Sequence, residues 1–307
     1  DLGSSEQIGS ILIDVYAKCK SVQAAEEIFN KLTCKDSVLW NTIISAHVNE
    51  GSVEQAFKFF LRMQHECVAL QQSTFVLMLK LCCCRGLLHD GQLLFNYIYD
   101  SHCQVNYFIG TALVDLYMKC GAVEDAATIF NKLNRRGVVT WSALIAGYAQ
   151  LGEMNMVLDS FKRMRLVGIQ PNSITFLVVM NACSHAALVE IGKELFHDMI
   201  VLYGLTPTVE HYTCMVDLFG RAGHFEKAIA MIEKTSSFSH LPLWLSLLGA
   251  CQKWLNVKLG RWAFDQCTKA DEKCVVAYVC MGNIYAAVGM SSETYKFEAR
   301  RANNKVL

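Results

Sequence analysis

Two stretches of the chain are nearly the same sequence. LIDVYAKCKSVQAAEEIF occupies residues 12–29, and LVDLYMKCGAVEDAATIF occupies residues 113–130. Self-similarity of this kind predicts a repeat protein, in which each unit of about 20–50 residues cannot bury its apolar face alone. Neighbouring units must therefore stack, so that the 307 residues form a one-dimensional array instead of folding around one central core.

One bulky apolar position returns along the chain and sets the repeat length, with separations of 31, 35, 35, 31, 35, 36 and 32 residues. Nine residues earlier most units carry a glycine, which predicts a left-handed helix C-cap. A small residue one turn before the bulky position predicts a close approach of the two helices of a hairpin. The bulky residues are Phe29, Phe60, Phe95, Phe130, Phe161, Phe196, Ile232 and Phe264; the glycines are Gly51, Gly86, Gly121, Gly152, Gly223 and Gly289, from which Lys20, Ala187 and Leu255 depart; the small residues are Ala25, Ala56, Gly91, Ala126, Gly192, Ala228 and Gly260, with Val157 as the exception.

The spacing of apolar residues within a unit is helical. Leu113, Leu116 and Cys120 stand at i, i+3 and i+7, the pattern of one face of an amphipathic helix. Only three prolines occur, 53% of the residues are hydrophobic and 18% are charged. This composition is typical of a continuously packed chain and excludes a largely disordered one. An all-α fold is expected.

The units resemble pentatricopeptide repeats of the plant PLS subclass, which alternates short, standard and long motifs. The resemblance rests on YAKC and YMKC, on VEHYTCMVDLFGRAG at residues 209–223, on LLGAC, and on the order of the unit lengths. It implies an all-α, right-handed α-solenoid superhelix of stacked antiparallel helix-turn-helix hairpins. Tetratricopeptide repeats are the alternative, but their fixed period of about 34 residues disagrees with the varied separations.

The resemblance also implies the division of the chain. A repeat array over residues 1–240 is followed by paired E-type motifs over 241–307, and no DYW deaminase domain lies in this chain. The motifs are short 6–36, standard 37–71, long 72–106, short 107–137, standard 138–172, long 173–208 and short 209–240, then E-type 241–274 and 275–307.

In this family each repeat reads one base of single-stranded RNA from a concave face lined by the first helices. The resemblance assigns base reading to the fifth and the last residue of each motif. Ser with Asp implies guanine, Ser with Asn adenine, Asn at the fifth place a pyrimidine and Thr a purine. The pairs are Ser10 with Asp36, Asn41 with Gln71, Val76 with Asn106, Thr111 with Gly137, Ser142 with Asn172, Leu177 with Thr208, and Thr213 with His240.

Several of these pairs depart from the family's pattern. Gln71 is an uncommon last residue, and Gly137 has no side chain with which to form a hydrogen bond. Val76 and Leu177 are apolar and are expected to discriminate poorly between bases. Thr213 with its partner fits no known pairing.

Two further sets of residues are candidates for RNA contact. The second residue of four motifs is expected to flank a base as an apolar wedge, with burial between helices as the alternative. Cations that recur near the end of the first helix are expected to follow the phosphate backbone, with a solvated helix end as the alternative. The wedge candidates are Val38, Phe108, Val139 and Ile174, and the cations are Lys18, Lys119, Arg221 and Lys253. Because the net charge is zero, only such a local stripe can attract RNA.

Catalytic and metal-binding patterns are missing from the sequence. The stretch 224–226 reads His-Phe-Glu, the first half of a nucleobase deaminase motif, but no Cys-x-x-Cys accompanies it. Three adjacent cysteines at 82–84 point in different directions on a helix and are not expected to hold one ion. The fourteen cysteines are interpreted mainly as small buried hydrophobes in a reducing compartment. We therefore expect no enzyme activity, no metal and no cofactor in this chain.

The expected function is sequence-specific recognition of single-stranded RNA in a mitochondrion or chloroplast. Target recognition for cytidine-to-uridine editing is favoured, with a deaminase-domain protein or an editing accessory factor as partner. RNA splicing, stability or translation is the alternative, followed by a peptide-binding helical scaffold. The chain is expected to be monomeric and not to enter a membrane, since no apolar run reaches about 18 residues. A targeting segment is absent from it, which leaves the organelle open.

Overall fold

The computed structural model describes residues 2–100, 105–235, 241–290 and Phe297, with side chains described except at residues 2–8, 10 and 100. Throughout these residues the structure is helical, with seventeen α-helices and no strand. The helices are α1 (Leu2–Lys18), α2 (Val22–Lys31), α3 (Ser37–Glu50), α4 (Val53–His65), α5 (Gln72–Arg85), α6 (Leu88–Asp100), α7 (Tyr107–Lys119), α8 (Val123–Lys132), α9 (Val138–Gln150), α10 (Met154–Leu166), α11 (Ser173–His185), α12 (Val189–Val201), α13 (Val209–Arg221), α14 (Phe225–Glu233), α15 (Leu241–Trp254), α16 (Val257–Ala270) and α17 (Val275–Ala287).

The helices pair into hairpins that stack on one another within each of two compact units, Asp1–Gly147 and Tyr148–Leu307. In the first unit α1, α3, α5 and α7 contact in succession, and each packs on the even-numbered helix that follows it. In the second unit α11, α13, α15 and α17 contact in succession, and α11, α13 and α15 each pack on the even-numbered helix that follows. The prediction of an all-α fold built from stacked helical hairpins is confirmed. We call the odd-numbered helices the first helices.

The starts of the first helices follow the starts of the predicted motifs. From α3 to α17 they begin at residues 37, 72, 107, 138, 173, 209, 241 and 275. The exception is α1, which begins at Leu2 although the first motif was placed at residue 6. The last residue of a motif therefore stands at the N-cap of the next first helix, as observed for Asp36, Gln71, Asn106, Asn172 and Thr208.

The turn inside each hairpin has the predicted left-handed conformation. Gly51 and Gly121 have φ angles of 77° and 76°. The three residues that depart from the glycine pattern adopt the same conformation, with φ of 60° at Lys20, 55° at Ala187 and 54° at Leu255. The hairpin geometry therefore persists where the sequence signal is lost, even though a side chain makes this conformation less favourable.

The recurring phenylalanines fill the space between consecutive hairpins, as predicted. Phe29 meets Trp40 edge to face, with ring centroids 4.7 Å apart, and Phe130 meets Trp141 in the same way at 4.7 Å. Edge-to-face contacts of this kind add to the apolar area that the rings bury. Phe95 differs from the others because it is only half-buried.

The small residue before each phenylalanine has a different main neighbour from the one predicted. A Cβ added at Gly91 in α6 would collide with Leu116 in α7, and one added at Gly192 in α12 would collide with Leu218 in α13. Both obstacles belong to the first helix of the next hairpin. The prediction that this position serves the approach of the two helices within a hairpin was therefore incomplete, because stacking on the next hairpin makes the tighter demand.

The cysteines only partly follow the expectation of burial. Cys82, Cys183 and Cys251 are buried, and burial raises the pKa of Cys183 to about 11 and that of Cys251 to about 12. Cys19 and Cys84, which lie in the same kind of sequence pattern, are exposed and correct that interpretation. None of the described helices has the length and apolar character that crossing a bilayer requires.

Candidate nucleic-acid interface

One groove in the first unit brings together the residues assigned to a single motif. Val38, Asn41 and Gln71, the second, fifth and last residues of motif 37–71, line a groove of about 420 Å³. Lys18 from the preceding hairpin lines the same groove. An apolar side chain, two polar side chains and a cation thus share one surface, together with Asp14, the carboxylate that pairs with Lys18.

The four wedge candidates are exposed, which excludes their burial between helices. Val38, Phe108 and Ile174 are 64%, 63% and 63% exposed, and Val139 is 57% exposed. Exposed apolar side chains on the first helices leave their area available for stacking against a base. The sequence reasoning missed Val276, which is 57% exposed at the second position of α17.

The fifth residue of motif 37–71 is held by the next hairpin. Asn41 Oδ1 accepts a hydrogen bond from the Thr74 hydroxyl at 2.7 Å, and Asn41 Nδ2 donates to Ser73 Oγ at 3.0 Å. The side chain of Thr74 is completely buried. The amide of Asn41 is therefore oriented by two residues at the start of α5.

The fifth residue of motif 107–137 is held in a similar way. The Thr111 and Thr140 hydroxyl oxygens are 2.7 Å apart, and Thr111 Oγ1 also donates to the backbone carbonyl oxygen of Tyr107 at 2.7 Å. Thr140, like Thr74, is completely buried and is the third residue of its motif. The sequence reasoning did not identify this third position, although a polar residue on an otherwise apolar helix face was a visible signal.

The polar last residues of the motifs cap the helices that follow them. Asp36, Asn106 and Asn172 each use Oδ1 to accept backbone N–H groups in the first helical turn, at 2.9, 3.1 and 2.9 Å. Only one of the two polar atoms at the tip of each side chain is needed for the cap. In Asp36 and Asn172 the other atom is consequently a candidate for contact with a base, whereas Asn106 Nδ2 already donates one hydrogen to Gln72 Oε1.

The remaining last residues have other partners. Gln71 Nε2 donates to Ser37 Oγ at 2.7 Å, and the Thr208 hydroxyl donates to the Glu210 carboxylate at 2.5 Å. At Gly137 an added Cβ would lie 2.7 Å from the hydroxyl oxygen of Tyr107, so a larger residue would require that side chain to shift. The last residue of a motif is thus packed against the first turn of a helix in each case.

Not every predicted reader has a described environment. Ser10 lies on α1, but its side chain is outside the described set, and His240 lies outside the described residues altogether. Ser142 lies in the first unit and its predicted partner, the N-cap of α11, in the second. The apolar fifth residues, Val76 and Leu177, are half-buried on their helices.

The recurring cations are already paired within their own helices. In three motifs an aspartate one turn earlier holds the cation, which lowers its availability for phosphate at low ionic strength. The pairs are Lys18 with Asp14 at 2.6 Å, Lys119 with Asp115 at 3.0 Å, and Arg221 with Asp217 at 2.7 Å. Lys253 differs, since its Nζ donates to the backbone carbonyl oxygen of Arg221 at 2.9 Å.

Two of these aspartates also accept from the preceding hairpin. Asp115 Oδ2 accepts from the Cys83 thiol at 3.2 Å, and Asp217 Oδ2 accepts from the Ser184 hydroxyl at 2.6 Å. Burial lowers the pKa of Lys119, but hydrogen bonding to Asp115 and the charge of Asp115 offset this, and the pKa of Lys119 is raised overall. The sequence reasoning identified the cations and missed the aspartates that hold them.

A metal centre is not found in the described part of the chain, where no three His, Cys, Asp or Glu side chains are grouped so that they could hold an ion. The three adjacent cysteines illustrate the reason. Cys82 and Cys83 are buried while Cys84 is exposed. The three side chains therefore point to different surroundings.

Profiles of known repeat families match most of the chain. The profile of the PPR repeat family matches residues 35–84 and 136–185, and that of the PPR repeat matches residues 10–36, 111–138, 174–202 and 210–237. The chain belongs to the pentatricopeptide repeat family.

Relatives from Arabidopsis thaliana support the assignment. A putative pentatricopeptide repeat-containing protein is 37% identical over 92% of this chain and 34% of its own length. A chloroplastic member is 34% identical over 97% of this chain and 40% of its own length. A mitochondrial member is 36% identical over 93% of this chain and 45% of its own length. The chain therefore spans less than half the length of each of these relatives.

A solved structure has the same fold. The pentatricopeptide repeat protein PPR10, crystallised in complex with an 18-nt psaJ RNA element, superposes with a TM-score of 0.77 at 18% sequence identity. The superposition covers 93% of this chain and 43% of PPR10. At this level of identity the similarity concerns the fold alone.

Proposed function

We propose that this chain is the RNA-recognition part of an organellar RNA-processing factor, and that it binds single-stranded RNA with one nucleotide per repeat. The observation that carries the proposal is the groove of motif 37–71, where an exposed wedge, Val38, stands beside the reader Asn41 and the last residue Gln71. An apolar wedge stacks on any base, whereas polar readers distinguish base edges.

The comparisons support the choice of ligand and of compartment. PPR10, which shares the fold, was crystallised with an RNA element, and relatives of this chain are chloroplastic or mitochondrial. The neutral net charge favours recognition through stacking and hydrogen bonding over a broad electrostatic attraction. The chain acts as a monomer in this proposal, since each repeat contributes its own contacts.

The finer role that we propose is target recognition for cytidine-to-uridine editing, with residues 1–240 as a PLS-type array and 241–307 as E-type motifs that recruit a deaminase. Residues expected to pack inside the first E-type hairpin are buried, including Trp244, Leu247 and Leu248. They belong to a hairpin core, so recruitment in this proposal uses the exposed surface of that hairpin. Sequencing of organellar transcripts from a loss-of-function line tests the role, because one lost uridine identifies the edited site, whereas unspliced or unstable transcripts favour the alternative.

Binding of the ligand class is tested by a gel-shift series. A randomised 12-nucleotide single-stranded RNA pool should bind the 307-residue chain and yield an enriched sequence. A duplex made from that enriched sequence should not bind, since its bases are paired and cannot stack on the wedges. Equal affinity for the single strand and the duplex contradicts base reading.

The base register is tested at the N-cap of α11. Asn172 Oδ1 holds the cap, so its amide nitrogen is the group left to meet a base. Aspartate keeps the capping oxygen and presents a second acceptor in place of the donor. Asn172→Asp should therefore shift the preference at one nucleotide from adenine toward guanine by roughly tenfold, without a change in melting temperature. An unchanged ranking of two RNAs that differ at that base would leave Asn172 as a cap alone.

A further inference from the structure

We infer that the buried threonine Thr74 is a specificity-determining positioning residue. It fixes which hydrogen-bonding group Asn41, the fifth residue of the preceding motif, presents to RNA. This inference rests on the proposed function and deepens it, since it assigns a role to a third position in the motif, which lies beneath the interface and does not touch the ligand.

Thr74 uses its hydroxyl both as an acceptor and as a donor. Its Oγ1 accepts from the backbone N–H of Gln71 at 3.3 Å, and its own hydrogen is donated to Asn41 Oδ1 at 2.7 Å. If the amide of Asn41 were turned over, its NH₂ would face a hydroxyl whose hydrogen then had no acceptor. An unsatisfied polar group in a fully buried place is unfavourable, so the amide oxygen stays inward.

The orientation of Asn41 decides what it can recognise. With the oxygen turned to Thr74, the amide nitrogen lies on the outer side, where it donates to the exposed Ser73 hydroxyl at 3.0 Å. One amide hydrogen is then left for a ligand. A donor at this place suits O2 and N3 of cytosine or O2 and O4 of uracil, in agreement with the pyrimidine that the family resemblance implies for asparagine at the fifth position.

Thr140 does not set the polarity of Thr111 in this way. The Thr111 hydroxyl donates its hydrogen to the Tyr107 carbonyl oxygen, so in the 2.7 Å contact Thr140 is the donor. The backbone bond by itself leaves Thr111 with acceptor capacity alone, and Thr213 makes the same kind of backbone bond. Orientation by a buried hydroxyl therefore applies to Asn41, whose amide has a donor end and an acceptor end.

The third position does not follow the polarity of the fifth residue before it in every motif. The third residue of the motif after the apolar Val76 is the buried Ile109, but the third residue of the motif after the polar Thr213 is the buried Leu243. The role assigned to Thr74 therefore rests on its own hydrogen bond to Asn41 and not on a rule for the third position.

The experiment compares the wild-type chain with Thr74→Val, Thr74→Ser and Thr268→Val on a randomised 12-nucleotide single-stranded RNA pool, with the enriched sequences read out. Asn41→Ser identifies the nucleotide position that motif 37–71 reads. Valine has nearly the shape of threonine without the hydroxyl, serine keeps the hydroxyl, and Thr268 lies on the second helix α16 and serves as the matched control. Circular dichroism melts establish that each variant is folded at the binding temperature.

Thr74→Val should reduce the pyrimidine preference at that one position by at least about fivefold, the scale of a lost base-specific contact. Other positions should keep their preference, Thr74→Ser should retain it, and Thr268→Val should match the wild type. An unchanged preference in Thr74→Val overturns the inference, and so does an equal loss at all positions. A wild-type chain that enriches no sequence contradicts RNA recognition itself, and is distinguishable because the wild type fails before any variant is compared.

Discussion

Helices α7 and α13 occupy equivalent places in two predicted short motifs, α7 in the first unit and α13 in the second. Both are thirteen residues long, and both end in a cation held by an aspartate one turn earlier. In both, the fifth residue is a threonine that donates to the backbone carbonyl oxygen four residues before it. The helix length, the terminal ion pair and the backbone bond of the fifth residue are therefore the same in the two regions.

The residues that face a ligand differ between the two helices. At the second position α7 presents the exposed ring of Phe108, whereas α13 presents Glu210. A hydrogen bond from Thr208 lowers the pKa of Glu210, so this side chain is a carboxylate at neutral pH. Beneath the fifth residue α7 has the hydroxyl of Thr140, while the third residue of the motif after α13 is the buried Leu243. The same helical scaffold thus presents an exposed ring and a threonine bonded to Thr140 at α7, but a carboxylate and an apolar neighbour at α13.

The largest expected effect concerns what the two regions share. Trp141 in α9 and Trp244 in α15 are the fourth residues of the motifs that follow, and they are 2% and 1% exposed. Each should lose about 3–5 kcal/mol of unfolding free energy on change to alanine, because a large cavity remains. Urea denaturation measures this, and Trp262→Ala, at 40% exposure, should lose less. A Trp244→Ala chain that unfolds like the wild type yet loses a partner would instead assign this residue to docking.

A smaller effect separates the two helices. Phe108→Ala should weaken RNA binding by ~1–3 kcal/mol, the usual contribution of one stacked base, with little change in unfolding free energy because the ring is exposed. Glu210→Ala is the matched change at α13 and should not weaken binding, since a carboxylate offers no stacking surface and repels phosphate. Titration of the enriched RNA with both variants checks this. Equal losses of affinity would mean that α13 also contacts RNA and that the two helices do not differ in binding.

The smallest effect concerns the shared ion pairs. Asp115→Asn should release Lys119 from its partner and make RNA binding more dependent on salt, with a steepening of about 0.7 in the slope of log affinity against log salt for one further phosphate contact. Asp217→Asn should change the slope less, because Glu210 repels phosphate near α13. Affinities measured across a series of salt concentrations decide between them. Equal slopes in both variants would mean that the phosphate path also follows α13.

The positions of the hairpins and of their turns could be predicted from the sequence because they depend on local steric demands. A left-handed turn, a bulky ring nine residues later and a helical spacing of apolar residues recur wherever a hairpin must close and stack. The turn keeps its left-handed conformation even at Lys20, where the glycine is missing. The exposure of Phe108 and Ile174 also followed from their place in the motif.

What the sequence could not provide is the set of partners that each polar side chain chooses. The bond from Thr74 to Asn41 joins residues 33 positions apart, and that from Cys83 to Asp115 joins residues 32 positions apart. These hydrogen bonds form only when successive hairpins stack in a particular register. The repeat pattern limits that register to a small range but does not specify it at the scale of a hydrogen bond.

The sequence by itself therefore determined the family, the hairpins and the motif positions that we propose contact RNA. Tertiary structure alone decided which hydrogen-bonding atoms of those side chains are already paired within the protein. The physical reason is that apolar burial tolerates small displacements, whereas a hydrogen bond depends on distance and direction. Asn41 shows the difference, since its place was visible in the motif but the inward turn of its oxygen depends on one buried hydroxyl in the next hairpin.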